Sequence, residues 1–198
     1  ELLLQEIESY LKMCCVRSSD LRKDKRFKYI MIFRNYGAAA GASLEHPHTQ
    51  LVALPMAPKN ALEEIRGAHD YYNYRERCIF CDIIRQEIGD KARIILENKY
   101  FISFCPFVSR FPFEIMIMPK QHSGYFCHIS SEEVSALAQI LKETITKLKK
   151  VFVNLSYNYI IHSAPINGDE DVEYYHWHIE IMPKLTQVAG FEWGTGFY

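Results

Sequence analysis

The sequence predicts an α+β fold built as a tandem of two related units, and three observations predict it. The first is a repeat: an apolar strand, a turn of small residues or of Gly and Asn, then His-x-His-x-(Gln/Glu) entering an apolar strand closed by proline. It runs through residues 29–33, 35–43 and 46–55, and again through residues 157–162, 165–172 and 176–183. The second is a group of short apolar runs at residues 94–96, 100–104 and 113–118, of strand length. The third is a helix opened by the capping box Ser130-Ser131-Glu132-Glu133, with Val134, Leu137, Leu141, Ile145 and Leu148 on its buried face.

Taken in order, residues 1–14 carry Leu3, Leu4, Ile7, Leu11 and Cys14 on one face of an amphipathic helix that has no N-cap before it. The first repeat copy follows, then Cys78-Ile79-Phe80-Cys81, the three strand runs, the capped helix and the second copy. From Cys78 to Glu180 the second unit spans 103 positions, whereas the first ends its motif at Gln50. A first unit built alike would begin about 50 residues before Glu1, so the chain, which does not start with Met, reads as truncated at its N-terminus. Residues 1–75 then form the C-terminal part of the first unit and residues 76–198 the second unit.

The 198 residues are 48% hydrophobic, 24% charged and 14% aromatic, which excludes disordered and collagen-like classes. A net charge of −1 removes the electrostatic drive for nucleic acid as a partner. No apolar run reaches a membrane span of about 18 residues, and the first residues lack a signal peptide's basic region, so a cytoplasmic location is expected with no membrane partner. Six cysteines in such a chain read as thiols or metal ligands rather than as disulfides.

In a strand, His46, His48 and Gln50 would point into one site. The imidazole of His48 is then a candidate nucleophile toward phosphorus, with the Gln50 amide donating to a phosphoryl oxygen. The plain alternative is two histidines beside a proline at a strand edge. The preceding run Asn35-Tyr36-Gly37-Ala38-Ala39-Ala40-Gly41-Ala42-Ser43 favours the functional reading, because tiny side chains let backbone N–H groups approach phosphate and Ser43 adds a hydroxyl.

Cys78-x-x-Cys81 has zinc-knuckle spacing, and tetrahedral zinc wants two further ligands, for which His122 and His176 are candidates. The alternative is a pair of buried structural thiols. Glu64, His162, His176 and His178 make a competing set suited to iron or zinc, and His176 cannot serve both. The Cys-based set is preferred because thiolates hold zinc tightly. Cys14, Cys15, Cys105 and Cys127 read as core, and His69 and His128 as surface.

The loop of residues 35–43, followed by His46-Pro47-His48-Thr49-Gln50, resembles the galactose-1-phosphate uridylyltransferase branch of the histidine-triad superfamily. The tail Gly190-Phe191-Glu192-Trp193-Gly194-Thr195-Gly196 is similar to that family's end, so the resemblance spans nearly the whole chain. It implies tandem histidine-triad-like units, each an antiparallel sheet with packed helices. It also implies ping-pong transfer of a nucleoside monophosphate from a nucleotide sugar through His48 to a sugar 1-phosphate.

Gln50 would steady the phosphoryl group, Asn35, Gly37, Gly41 and Ser43 would contact substrate, and His46 would be a zinc ligand of the first unit whose partners are absent here. A glutamine cannot trade protons with a leaving group as a third histidine can, which favours transfer over hydrolysis. Two features redirect the substrate. Thr186 and Gln187 stand where the hexose enzymes carry Lys-Phe, and Cys78, Cys81, His122 and the tail also resemble the ADP-glucose phosphorylases. Uridine and adenine nucleotides therefore both stay open, as does a non-catalytic zinc-stabilised nucleotide-binding module. The family implies a homodimer in which Phe191 and Glu192 reach the partner's substrate.

Overall fold

In a computed structural model of the chain, the described residues are 3–42, 44, 46, 48–166, 172–185 and 189–195, without the side chain of Trp193. Ser43, Pro47, Thr186, Gln187 and Gly196, all named above, lie outside them. The elements are α1 (Leu4–Leu21), β1 (Tyr29–Tyr36), β2 (Gln50–Leu54), α2 (Lys59–Arg75), α3 (Ile79–Asp90), β3 (Ile94–Glu97), β4 (Phe101–Phe104), β5 (Ile115–Pro119), α4 (Ser131–Val151), β6 (Tyr157–His162), β7 (His178–Pro183) and α5 (Gly190–Thr195). The fold is α+β, with one sheet of seven strands in the order β2-β1-β6-β7-β5-β4-β3 and every neighbouring pair antiparallel.

Alternation along the strands sorts residues to two faces. Tyr157, Tyr159 and Ile161 of β6, Ile179 and Ile181 of β7, and Ile30 and Ile32 of β1 pack against α1 and α4. The capping box forms as the sequence predicts: Ser130 Oγ accepts from Glu133 N–H while the Glu133 carboxylate accepts from Ser130 N–H. Val134, Leu137, Leu141 and Leu148 are buried, and Ile145 is half-buried at the margin of that core. Leu137 is wholly buried, so trimming it to Ala would cost about 2–5 kcal/mol.

The second face carries α2 and α3, with Ile65, Phe80 and Ile84 against Phe104, Met118 and Tyr175. α2, a helix not expected from the sequence pattern, spans Lys59–Arg75 and delivers Glu64 to this face. α2 ends at Arg75, and one sheet runs across residues 1–75 and 76–198 because β1 pairs with β6, Ile32 opposite Ile161 and Asn35 opposite Asn158.

Several expectations are corrected. The stripe of α1 is Ile7, Leu11, Cys14 and Ser18, while Leu3 and Leu4 are exposed, because the helix meets its neighbours only from Ile7 on. β2 begins at Gln50, so His46 and His48 precede the strand; a proline at 47 has no N–H to donate to a ladder. β7 likewise begins at His178, leaving His176 before it. Of the cysteines read as core, Cys14 is buried and Cys15, Cys105 and Cys127 are half-buried. His69 and His128 are exposed as expected.

Candidate active site and metal centres

The face of the sheet away from α1 and α4 collects nearly all the residues with chemistry to offer. Alternation sends Asn35 of β1, Gln50 of β2, Asn158 and His162 of β6, and His178 and Glu180 of β7 to it. Just before β2, His48 sets its Nδ1 3.2 Å from the carbonyl oxygen of His46, and the two rings lie 6.4 Å apart. A carbonyl accepts only, so Nδ1 carries the proton and the Nε2 lone pair is left free for attack.

The loop before these histidines is tightly folded. Gly37 has φ +84° and Gly41 has φ +75°, in regions that favour glycine, and they flank a 3-10 turn at Ala38–Ala40. The N–H groups of Ala40 and Ala42 donate to Gly37 O and that of Gly41 to Ala38 O. Contrary to the expectation that the loop's backbone donors face phosphate, these three are spent inside the loop. Beside the loop a cavity of about 910 Å³ opens, lined by Asn35, Gly37, Ala42, His46, Lys149 and Ser156 among others.

Cys78, Cys81, His122 and His176 present ligand atoms all within 4.8 Å of one another. The local cause is α3, whose N-cap is Cys78 and whose first turn carries Cys81, so both thiols point off one helix end. His122 sets Nδ1 3.4 Å from Cys81 Sγ and Nε2 3.2 Å from Val172 O, while His176 sets Nδ1 3.6 Å from Cys81 Sγ and Nε2 2.9 Å from Pro119 O. Each imidazole thus gives its Nε2 proton to a carbonyl and aims a lone pair at the sulfurs, the arrangement metal-binding histidines use. The hydrogen bond from Cys81 holds the Cys78 thiol far below its ordinary range, with His122 and His176 adding to it against burial, and Cys81 is driven up in return. These residues fit a metal ion.

Glu64, His162 and His178 make a second such group. Register places His162 opposite His178, and their rings stack 4.8 Å apart at 6°. Glu64 lies 3.2 Å from His162 Nδ1 and 3.5 Å from His178 Nε2. Both ring nitrogens of His162 and Nε2 of His178 are buried without a hydrogen bond of good geometry, which also fits a metal. The competition for His176 is resolved spatially: it stands with the cysteines, and the second group closes without it.

Sequence reasoning missed two supports of this group. Glu180, which aligns with Gln50 in the repeat, lies 3.1 Å from His162 Nε2 and is paired with Arg110. The Tyr175 hydroxyl donates to Glu64 at 2.7 Å. Burial opposes the charge on Glu64, but His178 and His162 outweigh it and hold the carboxyl down at about 2. Burial also opposes charging His162, and the Glu180 and Glu64 carboxylates raise it to about 10 nonetheless.

Phe191 and Glu192 lie apart from this geometry on α5; Phe191 is 66% exposed, and the Glu192 carboxylate accepts from Ala189 N–H in capping its own helix.

The profile of galactose-1-phosphate uridyl transferase, C-terminal domain, matches residues 30–192. The chain belongs to that family. Among curated members, it is 37% identical over 183 residues to ADP-glucose phosphorylase of Arabidopsis thaliana, covering 92% of this chain and 51% of that protein. It is 34% identical over 199 residues to galactose-1-phosphate uridylyltransferase of Thermotoga maritima, covering 97% and 62%. The solved ADP-glucose phosphorylase of Arabidopsis thaliana with bound ADP-glucose superposes with a TM-score of 0.91 at 34% identity, covering 100% of this chain and 65% of that one. A solved uridylyltransferase gives a TM-score of 0.93 at 31% identity, covering 100% and 63%. The chain thus spans between half and two thirds of the length of each of these four relatives. No helix among its described residues is long and apolar enough to cross a membrane.

Proposed function

We propose that the protein carrying this chain is a nucleotidyltransferase that moves a nucleoside monophosphate from a nucleotide sugar to a sugar 1-phosphate through a covalent intermediate on His48. The observation that carries the reading is the His48 ring, held by the His46 carbonyl so that Nε2 keeps its lone pair. Nε2 attacks the phosphorus esterified to the nucleoside and forms an N–P bond. The P–O bond to the sugar phosphate breaks, and its electron pair leaves as sugar 1-phosphate, which needs no proton at departure. The Gln50 amide donates to the phosphoryl oxygens, and Asn35, Gly37, Gly41 and Ser43 border the phosphates. In the second half, an acceptor phosphate oxygen attacks phosphorus and the N–P pair returns to Nε2.

The leading substrate pair is UDP-glucose and galactose 1-phosphate. The second reading is ADP-glucose phosphorylase, with phosphate as acceptor, supported by the 37% identity to that enzyme of Arabidopsis thaliana. Zinc is the metal assigned to Cys78, Cys81, His122 and His176, where it would tie α3 to the sheet; Glu64, His162 and His178 would take zinc or iron, and His46 a first-unit zinc. The same reading divides the chain at residue 75 into tandem histidine-triad-like units and makes the protein a cytoplasmic homodimer in which Phe191 and Glu192 serve the partner's site.

Exchange of labelled glucose 1-phosphate into nucleotide sugar by the full-length protein tests this reading. Exchange with UDP-glucose or with ADP-glucose selects the branch. Binding without exchange would leave the non-catalytic zinc-stabilised module.

A further inference from the structure

Asn158 sits opposite Asn35 across the β1–β6 ladder, on the face that carries Gln50 and His178. Its Nδ2 donates to two acceptors, the Ala40 backbone carbonyl at 2.9 Å and Oδ1 of Asn35 at 2.7 Å. The first contact decides the second. A backbone carbonyl only accepts, so the Asn158 atom facing it is the NH2 group. The same nitrogen faces the Asn35 amide, so the Asn35 atom it meets is the oxygen. Asn35 is thereby turned with its own NH2 away from Asn158, and that NH2 makes no hydrogen bond to any described residue, while Asn35 lines the cavity beside the loop.

We propose that Asn158 is a positioning residue for nucleotidyl transfer: it locks the Asn35 amide so that two N–H donors, and no acceptor, face an anionic ligand in the cavity. This rests on the transferase reading above. The device answers a shortage of donors, since the N–H groups of Ala40, Gly41 and Ala42 are consumed within the loop. It also ties the two halves together, because Asn158 belongs to the second unit and Asn35 and Ala40 to the first. Selectivity follows from the fixed flip: phosphoryl oxygens accept from the NH2 group, whereas a ligand presenting donors there meets only donors.

Asn158→Asp is nearly isosteric but has no N–H. Its carboxylate accepts from Asn35 Nδ2 and turns that amide around, presenting oxygen to the ligand. The full-length protein is compared as wild type, Asn158→Asp, Asn35→Ala and the double variant, with nucleotide-sugar KM, kcat and thermal midpoint measured for each. Asn158→Asp is expected to raise KM about tenfold or more, in keeping with loss of a hydrogen bond to a charged group, and to leave KM unchanged when added to Asn35→Ala. Asn158→Ser, which restores a donor, is expected to recover most of the loss. Additive effects on KM, or a wild-type KM in Asn158→Asp, would overturn the proposal.

Wild type that shows no turnover with either nucleotide sugar would instead defeat the transferase reading. In that case the side-chain NH2 resonances decide: titration with inorganic phosphate should shift that of Asn35 and spare that of Asn158. An unmoved Asn35 resonance would reject the device outright.

Discussion

His48 and His178 hold their rings in the same way: each sets Nδ1 against the carbonyl of the histidine two residues before it, at 3.2 Å and 3.1 Å. Their surroundings differ. His48 is half-buried beside the Gly/Ala loop, while His178 is wholly buried, with the Phe80 ring 5.2 Å away and Glu64 at Nε2. One imidazole is partly exposed and the other is enclosed by the Phe80 ring and the Glu64 carboxylate. The shared geometry predicts that neutral His48 carries its proton on Nδ1, which nitrogen-15 NMR reads directly. A neutral ring protonated on Nε2 would remove the nucleophile.

Cys78→Ser should cost the protein one equivalent of bound metal and a large share of the second unit's stability. Structural zinc contributes on the order of 10 kcal/mol of apparent binding free energy in small motifs, and here the ion would anchor α3 to the strand end at Pro119 and His176. Metal analysis and a thermal melt of the variant check this together; unchanged metal content would remove the Cys78 assignment.

Stability of the metal-free protein should depend on pH through the second cluster. His162 is raised from an ordinary 6.5 to about 10, so its contribution is complete below 6.5 and is lost as pH climbs toward 10. Glu64 is lowered from an ordinary 4.5 to about 2, so its contribution is complete above 4.5 and is lost as pH falls toward 2. Melting after chelation should therefore be highest between these limits. His162→Gln should flatten the alkaline limb, and an unaltered limb in that variant would contradict the assignment.

Two glycines of one loop should respond differently to alanine. A Cβ on Gly37 would lie 2.2 Å from Ser156 Oγ and 3.2 Å from its Cα, at φ +84°. A Cβ on Gly41 would meet nothing within 4 Å and carries only the cost of φ +75°. Gly37→Ala is expected to lose about 2–4 kcal/mol and Gly41→Ala about 1 kcal/mol by urea unfolding. Equal losses would show that Ser156 yields freely.

Local rules made much of this legible. The capping box at Ser130 and Glu133 and the 3.6-residue stripe of Val134, Leu137 and Leu141 need only neighbours in the chain, and they form. The repeat located both His-x-His runs, and the CxxC spacing located the thiols. Illegible were facts set by distant pairing. Nothing near Asn35 in sequence tells that Asn158 faces it, because the β1–β6 register joins segments 123 residues apart. The rivalry over His176 was equally undecidable locally, since strand alternation alone offers His176 and His178 to both clusters; the folded chain sets His176 Nδ1 beside Cys81 Sγ and its Nε2 against the Pro119 carbonyl, away from the second group. Arg110 and Glu180 were missed because an ion pair across 70 residues leaves no periodic trace.

The covalent step is tested most directly by weighing the full-length protein after incubation with UDP-glucose or ADP-glucose without acceptor. A mass gain of one uridine or adenosine monophosphate, absent in His48→Ala and discharged by the matching acceptor, is the predicted result. No gain with either donor, or a gain that survives His48→Ala, would contradict nucleotidyl transfer through His48.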